Sequence, residues 1–351
     1  MHHDTQEMEP APLTRSCPPS ATGAQQTACR TAAPGGLDLE ELDRRSQQFI
    51  VRSRAERTVA GYASDIRQFQ AWTNALDLDA LPATPKTVGL YIVYMASRCR
   101  PATISRHLAA IAALHRAAGF ASPTKDEAVR LTYSGICHTM STRPDSRDPL
   151  RLDDLRAMVA ASPNDLLGTK DIAVLTVAFW SSLRRSELVA LCIEDMTPAP
   201  AGYVLLVRRS KTDQAGEGRE VALCRVPGST ICPVTALERW ISAARLVGGP
   251  LFPTTDRWGN VGTTAMSGKG VARTVQRAAK RAGLANASRL AAHSTRHGFA
   301  QAAVLVADEL AVANQTGHKS VKQLRHYASQ ARIFEDNAAV VLARAVANGA
   351  A

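Results

Sequence analysis

Between residues 37 and 140 the apolar side chains recur at three- and four-residue spacing in four or five successive stretches. Each stretch stops at a proline, a glycine or a polar turn. That periodicity buries one stripe of a helix and leaves no room for strands. "ERTVAGYASDIRQFQAWTNAL" sets Val59, Tyr62, Ile66, Phe69 and Trp72 along one such stripe. "TPKTVGLYIVYMAS" opens with Thr84 as N-cap and Pro85 at the first helical position. "RPATISRHLAAIAALHRAAG" runs to a C-capping Gly119, and "SPTKDEAVRLTYSGICHTM" begins after Ser122-Pro123. Short turns join these segments, so 37–140 is expected to form an all-helical bundle.

The next ten residues, "STRPDSRDPL" at 141–150, hold two prolines and four charges and read as an interdomain linker. Helices are expected near 152–161 and 166–181. A β-hairpin follows, from Tyr203–Val207 and Glu220–Val226, with Gly216 and Gly218 in its tip. From Cys232 the pattern is helical again, apart from a loop at "GGPLFPTTDRWGN". Residues 1–36 are rich in Ala, Pro, Thr, Ser, Gly and Gln and too poor in aliphatic residues to order themselves, so they are expected to be a disordered tail. A length of 351 residues accords with two domains, 37–140 and 151–351.

Charge narrows the partner. Lys and Arg number 42 against 31 Asp and Glu, a net +11 that favours a polyanion, nucleic acid before an acidic membrane surface. The longest strongly apolar run, "IAVLTVAFW" at 172–180, falls far short of the ~20 residues a membrane helix needs. The N-terminus lacks the basic and apolar regions of a signal peptide. Seven cysteines are scattered without a CxxC pair, which argues against a zinc site or a disulfide framework and fits a reducing compartment. No GxGxxG or GxxxxGK[ST] is present. Within 98–116, Arg98, Arg100, Arg106, Arg116 and two histidines occur without an acid. They form either a solvated helix face or a surface that tracks phosphates.

Four short stretches of the second half place a cation or a proton-transfer group beside a turn signal. "SSLRRSELVAL" sets Arg184 one helical turn before Glu187, where the acid orients the guanidinium. "RRSKTDQAGEG" puts Lys211 near the hairpin tip, and "HSTRHG" puts His293 and Arg296 on one helix face. "GHKSVKQLRHY" separates His318 from Tyr327 by nine residues, opposite sides of a continuous helix. The two share a site only if His318 precedes the helix at a turn that Gly317 permits. Singly, each has a plainer reading as an ion pair, a solvated lysine, a core histidine or a packed tyrosine.

The ordered set Arg…Lys…His-x-x-Arg…Gly-His…Tyr, between "LRRSELVAL" and "GHKSVKQLRHYA", resembles the tyrosine recombinases of the phage integrase family, over roughly residues 38–340. The resemblance implies a mainly α fold: an all-helical core-binding domain, then a mixed α+β catalytic domain with a small β-hairpin or sheet. It implies that Arg184 and Arg296 grip the non-bridging oxygens of a phosphodiester, with Glu187 in support. His293 and His318 would add hydrogen bonds and proton removal, Lys211 would protonate the leaving 5′-oxygen, and Tyr327 would attack to form a 3′-phosphotyrosyl link. Lys319 and Lys322, with Arg98, Arg100, Arg106 and Arg116, would contact DNA. No cofactor, ATP or metal is implied. Double-stranded DNA is the implied partner, with dimers on each site and a tetramer in synapsis, in the cytoplasm at the nucleoid. Ser182 departs from the glycine usual in the family, at what reads as a packing position. A type IB topoisomerase and a DNA-binding regulator without catalysis are the competing readings.

Overall fold

The computed structural model describes residues 41, 42, 44–46, 56–142, 147–210, 213, 217–318, 325 and 337–348. The expected tail at 1–36 lies outside them, as do Lys211, Lys319, Lys322 and Tyr327. The chain divides into two compact units, within Ala24–Asp145 and within Ser146–Ala351.

The first unit contains helices and no strand among its described residues: α1 (Glu56–Asn74), α2 (Pro85–Ala96), α3 (Pro101–Ala117) and α4 (Glu127–Thr139). Thr84 caps α2 as its sequence indicates, its hydroxyl accepting from Thr87 N at 3.1 Å, with Pro85 leading the helix. Asp126 caps α4 by accepting from Ala128 N at 2.9 Å. Helix α3 ends at Ala117 and leaves Gly119 two residues beyond, at φ 77°. Phe69, Val88, Tyr91, Ile92, Ile104, Ile111 and Val129, each no more than 1% exposed, form the core. Burying each large apolar side chain here contributes roughly 1.5–3 kcal/mol. The stripe of α1 is only partly the apolar one: Phe69 is buried and Trp72 packs against the core, but Val59 is 43% exposed and the acid Asp65 is buried.

The second unit is built around α6 (Leu166–Trp180), apolar on all sides and buried through most of its length. Helix α5 (Leu152–Ala160) precedes it, and α7 (Arg185–Ala190) follows after a four-residue turn whose Ser182 has φ 52°. Then come β1 (Met196–Ala199), β2 (Gly202–Val207) and β3 (Arg219–Cys224), an antiparallel sheet in that order, with Leu205 opposite both Met196 and Val221. The expected hairpin is therefore two strands of three; β1 was illegible because a four-residue strand containing Pro198 shows no alternation. After α8 (Pro233–Ala243), the expected loop holds a second hairpin, β4 (Pro253–Thr255) with β5 (Val261–Ala265). Helices α9 (Gly268–Arg281), α10 (Ala292–Ala303), α11 (Glu309–Thr316) and α12 (Ala338–Ala347) complete it.

The indoles inside this unit are satisfied: Trp240 donates to Leu251 O and Trp180 to Ile231 O, both at 2.9 Å. Cys99, Cys137, Cys224 and Cys232 are free, and Cys192 is disulfide-bonded. No described helix is long and apolar enough to cross a membrane.

Candidate active site

Helix α7 is too short to hold itself, and its first residues do the positioning. Glu187 accepts from Arg184 N at 3.0 Å through Oε2 and from Arg184 Nη1 at 2.7 Å through Oε1. The carboxylate that caps the helix thus also aims the guanidinium, as the three-residue spacing indicates. Its side chain is 0% exposed, that of Arg184 21%. Glu187 has a second cation that sequence reasoning missed: Arg219 Nη2 donates to Oε2 at 3.2 Å.

His293, Arg296 and His297 lie on α10, which is pressed flush against the backbone at Leu150. Leu150 N donates to Ser294 O at 2.9 Å, and a Cβ at Gly298 would come within 1.8 Å of Leu150 O, so only glycine fits. Arg296 is 3% exposed. Its Nη1 donates to Ser182 O at 2.7 Å and to Thr316 O, and its Nη2 to His318 Nε2 at 3.1 Å. Ser182 O reaches this position because the residue is left-handed. The departure from glycine therefore bears on backbone conformation as well as packing, and the buried Ser182 Oγ has no partner among the described residues.

Helix α11 ends on Gly317 at φ 66°, so His318 leaves the helix by the turn that its sequence required. The tautomer of His318 follows from its neighbours. A guanidinium only donates, so Nε2 accepts from Arg296, and Nδ1 carries the proton to Thr316 Oγ1 at 2.6 Å; that hydroxyl donates onward to Val312 O at 2.6 Å. Burial first, then Arg296 and Arg184, push the pKa of His318 down to about 4. His293 is also held at about 4, by the surrounding protein and then by His297, Arg296 and Arg184, although the residue reaches the surface. Its ring centroid is 4.3 Å from that of His297. Arg184 Nη2 donates to Gly317 O at 3.3 Å. Two guanidiniums from separate helices thus converge on the 316–318 turn, with two imidazoles in their field. Among the described residues, no three His, Cys, Asp or Glu are grouped to hold a metal.

The first unit treats its cations differently. Arg106 donates twice to the buried Asp65, at 2.7 and 2.9 Å, with its side chain 54% exposed. The two histidines of the basic segment are buried: His107 lies between Asp65 and Tyr91, and His115 accepts from Ala83 N at 2.9 Å. Only the arginines of the segment are left to its exposed basic face. Arg98 stacks on Tyr94, 3.9 Å from its ring centre, and Arg100 and Arg116 are exposed. A second basic face was missed: α9 exposes Lys269, Arg273, Arg277 and Lys280 opposite its buried Val271, Thr274, Val275 and Ala278. Buried Asp171 holds Arg277 there at 2.6 Å. Only the helical period of those cations was available to reveal it.

The sequence profile of the phage integrase family matches residues 149–332. The chain belongs to that family. An integrase/recombinase xerD homolog of Selenomonas ruminantium is 35% identical over 304 residues, covering 85% of this chain and 89% of that protein. Cre recombinase of Escherichia phage P1 is 26% identical over 221 residues, 61% of each chain. The fold resembles that of the Tn1549 transposon integrase solved with transposon right-end DNA, with TM-score 0.57 and 15% identity over 86% of this chain and 97% of that one. As a family member the chain is a site-specific tyrosine recombinase.

Proposed function

We propose that this recombinase cleaves double-stranded DNA by attack of Tyr327 on a phosphodiester, leaving a 3′-phosphotyrosyl link and a free 5′-hydroxyl that later reverses the step. The convergence of Arg184 and Arg296 on the 316–318 turn carries this reading. Their donors would exchange backbone carbonyls for the two non-bridging oxygens, where charge grows in the pentavalent transition state; each such donor is worth roughly 3–4 kcal/mol. His318 and His293 enter neutral, and His318 Nε2 would take up the tyrosine proton only as Arg296 turns from it to the phosphate. An arriving phosphate offsets the arginine field that depresses them and raises their affinity for that proton. Lys211 would protonate the departing 5′-oxygen. Energy is conserved in the ester, so no nucleotide is needed.

DNA contact is assigned to Arg98, Arg100, Arg106 and Arg116 of the helical unit, to Lys319 and Lys322 near the nucleophile, and to the exposed cations of α9. The unit within 37–140 acts as the core-binding domain and 151–351 as the catalytic domain, working in the cytoplasm at the nucleoid. Val341, Leu342 and Val346 of α12 are each 59% exposed, an apolar face for a second protomer in a dimer on each site and a tetramer in synapsis. Deleting residues after about 332 is expected to spare single-site binding and abolish synapsis.

The test uses nicked suicide duplexes drawn from both sides of the gene's locus, denatured in SDS. A protein–DNA band with wild type and none with Tyr327→Phe is expected. A band that survives in Tyr327→Phe overturns the nucleophile, and a specific gel shift without any band favours a non-catalytic binder.

A further inference from the structure

Strand β3 alternates: Val221 and Leu223 are buried, while Glu220, Ala222 and Cys224 are exposed. Arg219 stands in the inward register of that alternation, where a strand that only closed the core would carry another aliphatic residue. Its side chain is 20% exposed and is held at both ends of the guanidinium: Nη2 donates to Glu187 Oε2 at 3.2 Å and Nη1 to Gln315 O at 3.2 Å. Its Nε is buried and has no partner among the described residues.

The guanidinium also fills the space beside Gly317. A Cβ there would come within 2.9 Å of Arg219 Nε and 3.0 Å of its Cζ. Gly317 therefore serves twice, by its left-handed turn and by leaving room for this arginine. Two cations straddle it, Arg184 bonded to its carbonyl and Arg219 against its Cα. Gln315 ties the same segment to β3 and α6 by donating to Ala222 O at 2.8 Å and Trp180 O at 3.1 Å. Folding stability gives no reason for an inward-facing arginine with a buried, unbonded Nε at this register. Its bonds do join the three pieces on which the site depends: α7 through Glu187, β3 itself, and the end of α11.

We propose that Arg219 is a positioning residue for the phosphate clamp, holding Arg184 through Glu187 and the His318 turn through Gln315 and Gly317 in one register. The assignment rests on the phosphodiester reading above. Arg219 does not reach the phosphate; it decides where the groups that do reach it stand. Its bonds among the described residues run to the clamp, so its effect is expected on the non-bridging oxygens and not on the leaving group.

Two measurements test this. The first needs no DNA: imidazole NMR of His318 in the full chain. Wild type is expected to titrate near the depressed value, and Arg219→Gln and Arg219→Lys to titrate higher, as the turn loosens away from Arg184 and Arg296. An unmoved titration in both folded variants overturns the positioning role whatever happens with DNA. The second is single-turnover cleavage at saturating enzyme on three scissile linkages: natural phosphate, methylphosphonate and 5′-bridging phosphorothiolate.

Arg219→Gln is expected to slow the natural linkage about 10- to 100-fold at unchanged affinity, the scale of a small misplacement of a reacting group. Removing one non-bridging charge as methylphosphonate should narrow that gap, because the clamp then matters less. The sulfur leaving group should rescue Lys211→Ala and leave the Arg219→Gln gap as it was. Rescue of Arg219→Gln by sulfur overturns the proposal in favour of the lysine hairpin, and equal deficits on all three linkages reduce Arg219 to folding support. If wild type forms no Tyr327-dependent adduct while the His318 titration still moves, the phosphodiester reading fails and the positioning stands.

Discussion

Each half of the molecule contains a buried carboxylate that binds cations from other positions, and only one of the two lies in a site. Asp65, 1% exposed, bonds Arg106 and His107, and His107 in turn meets Tyr91. Glu187, 2% exposed, bonds Arg184 and Arg219. In the Asp65 cluster both ring nitrogens of His107 are spent on side chains, its pKa is lowered chiefly by burial, and burial raises that of the Tyr91 phenol. In the Glu187 cluster Arg184 ends on the backbone carbonyl of Gly317, which an incoming anion can displace, while Arg219 holds that of Gln315. The ingredients are alike; what separates a brace from a site is whether the cations hold exchangeable partners.

The largest effect is expected where exchange matters most. Arg296→Ala should lower single-turnover cleavage by about 10²–10³-fold, the loss of one transition-state donor. Asp65→Ala should leave the rate of saturated complex within about twofold while costing roughly 2–4 kcal/mol in urea unfolding, because its partners are left unpaired. A matching loss of rate in Asp65→Ala would erase the distinction between the clusters.

Acid offers a finer cut. His318 has a folded pKa of about 4, below the ordinary 6.5, so the folded state binds fewer protons than the unfolded between those values. Its contribution to stability is full above about pH 6.5 and is lost as pH falls toward 4. The thermal midpoint of wild type should therefore drop more steeply than that of His318→Asn over this window; parallel curves would remove His318 from the buried cluster. Ser182→Gly should raise stability by about 1–2 kcal/mol, through release of a left-handed backbone and a buried hydroxyl without a described partner. Smallest is Arg106→Ala, expected to reduce the salt slope of DNA binding by about one phosphate contact with unchanged cleavage chemistry.

Local chemistry was legible along the chain, and long-range chemistry was not. Thr84 with Pro85, and Arg184 with Glu187, act across three residues or fewer, so their spacing already states their geometry. The angle per residue alone showed that His318 and Tyr327 could share a site only with a turn at Gly317. Asp65 on an apolar helix face could not be paired with Arg106, 41 positions away, nor Arg219 with Glu187, 32 positions back.

By itself the sequence determined the helical first half, the mixed second half, the ordered set of cations and imidazoles, and the family those residues resemble. All of these are written in periods, caps and short spacings that a few bonded residues enforce. Only the tertiary structure decided that Arg106 leans on Asp65, that His107 and His115 turn inward, that Ser182 is left-handed so that its carbonyl meets Arg296, and that Arg219 faces in. Those outcomes depend on which segments pack against one another, and burial then compels each polar group to take whatever partner the packing provides.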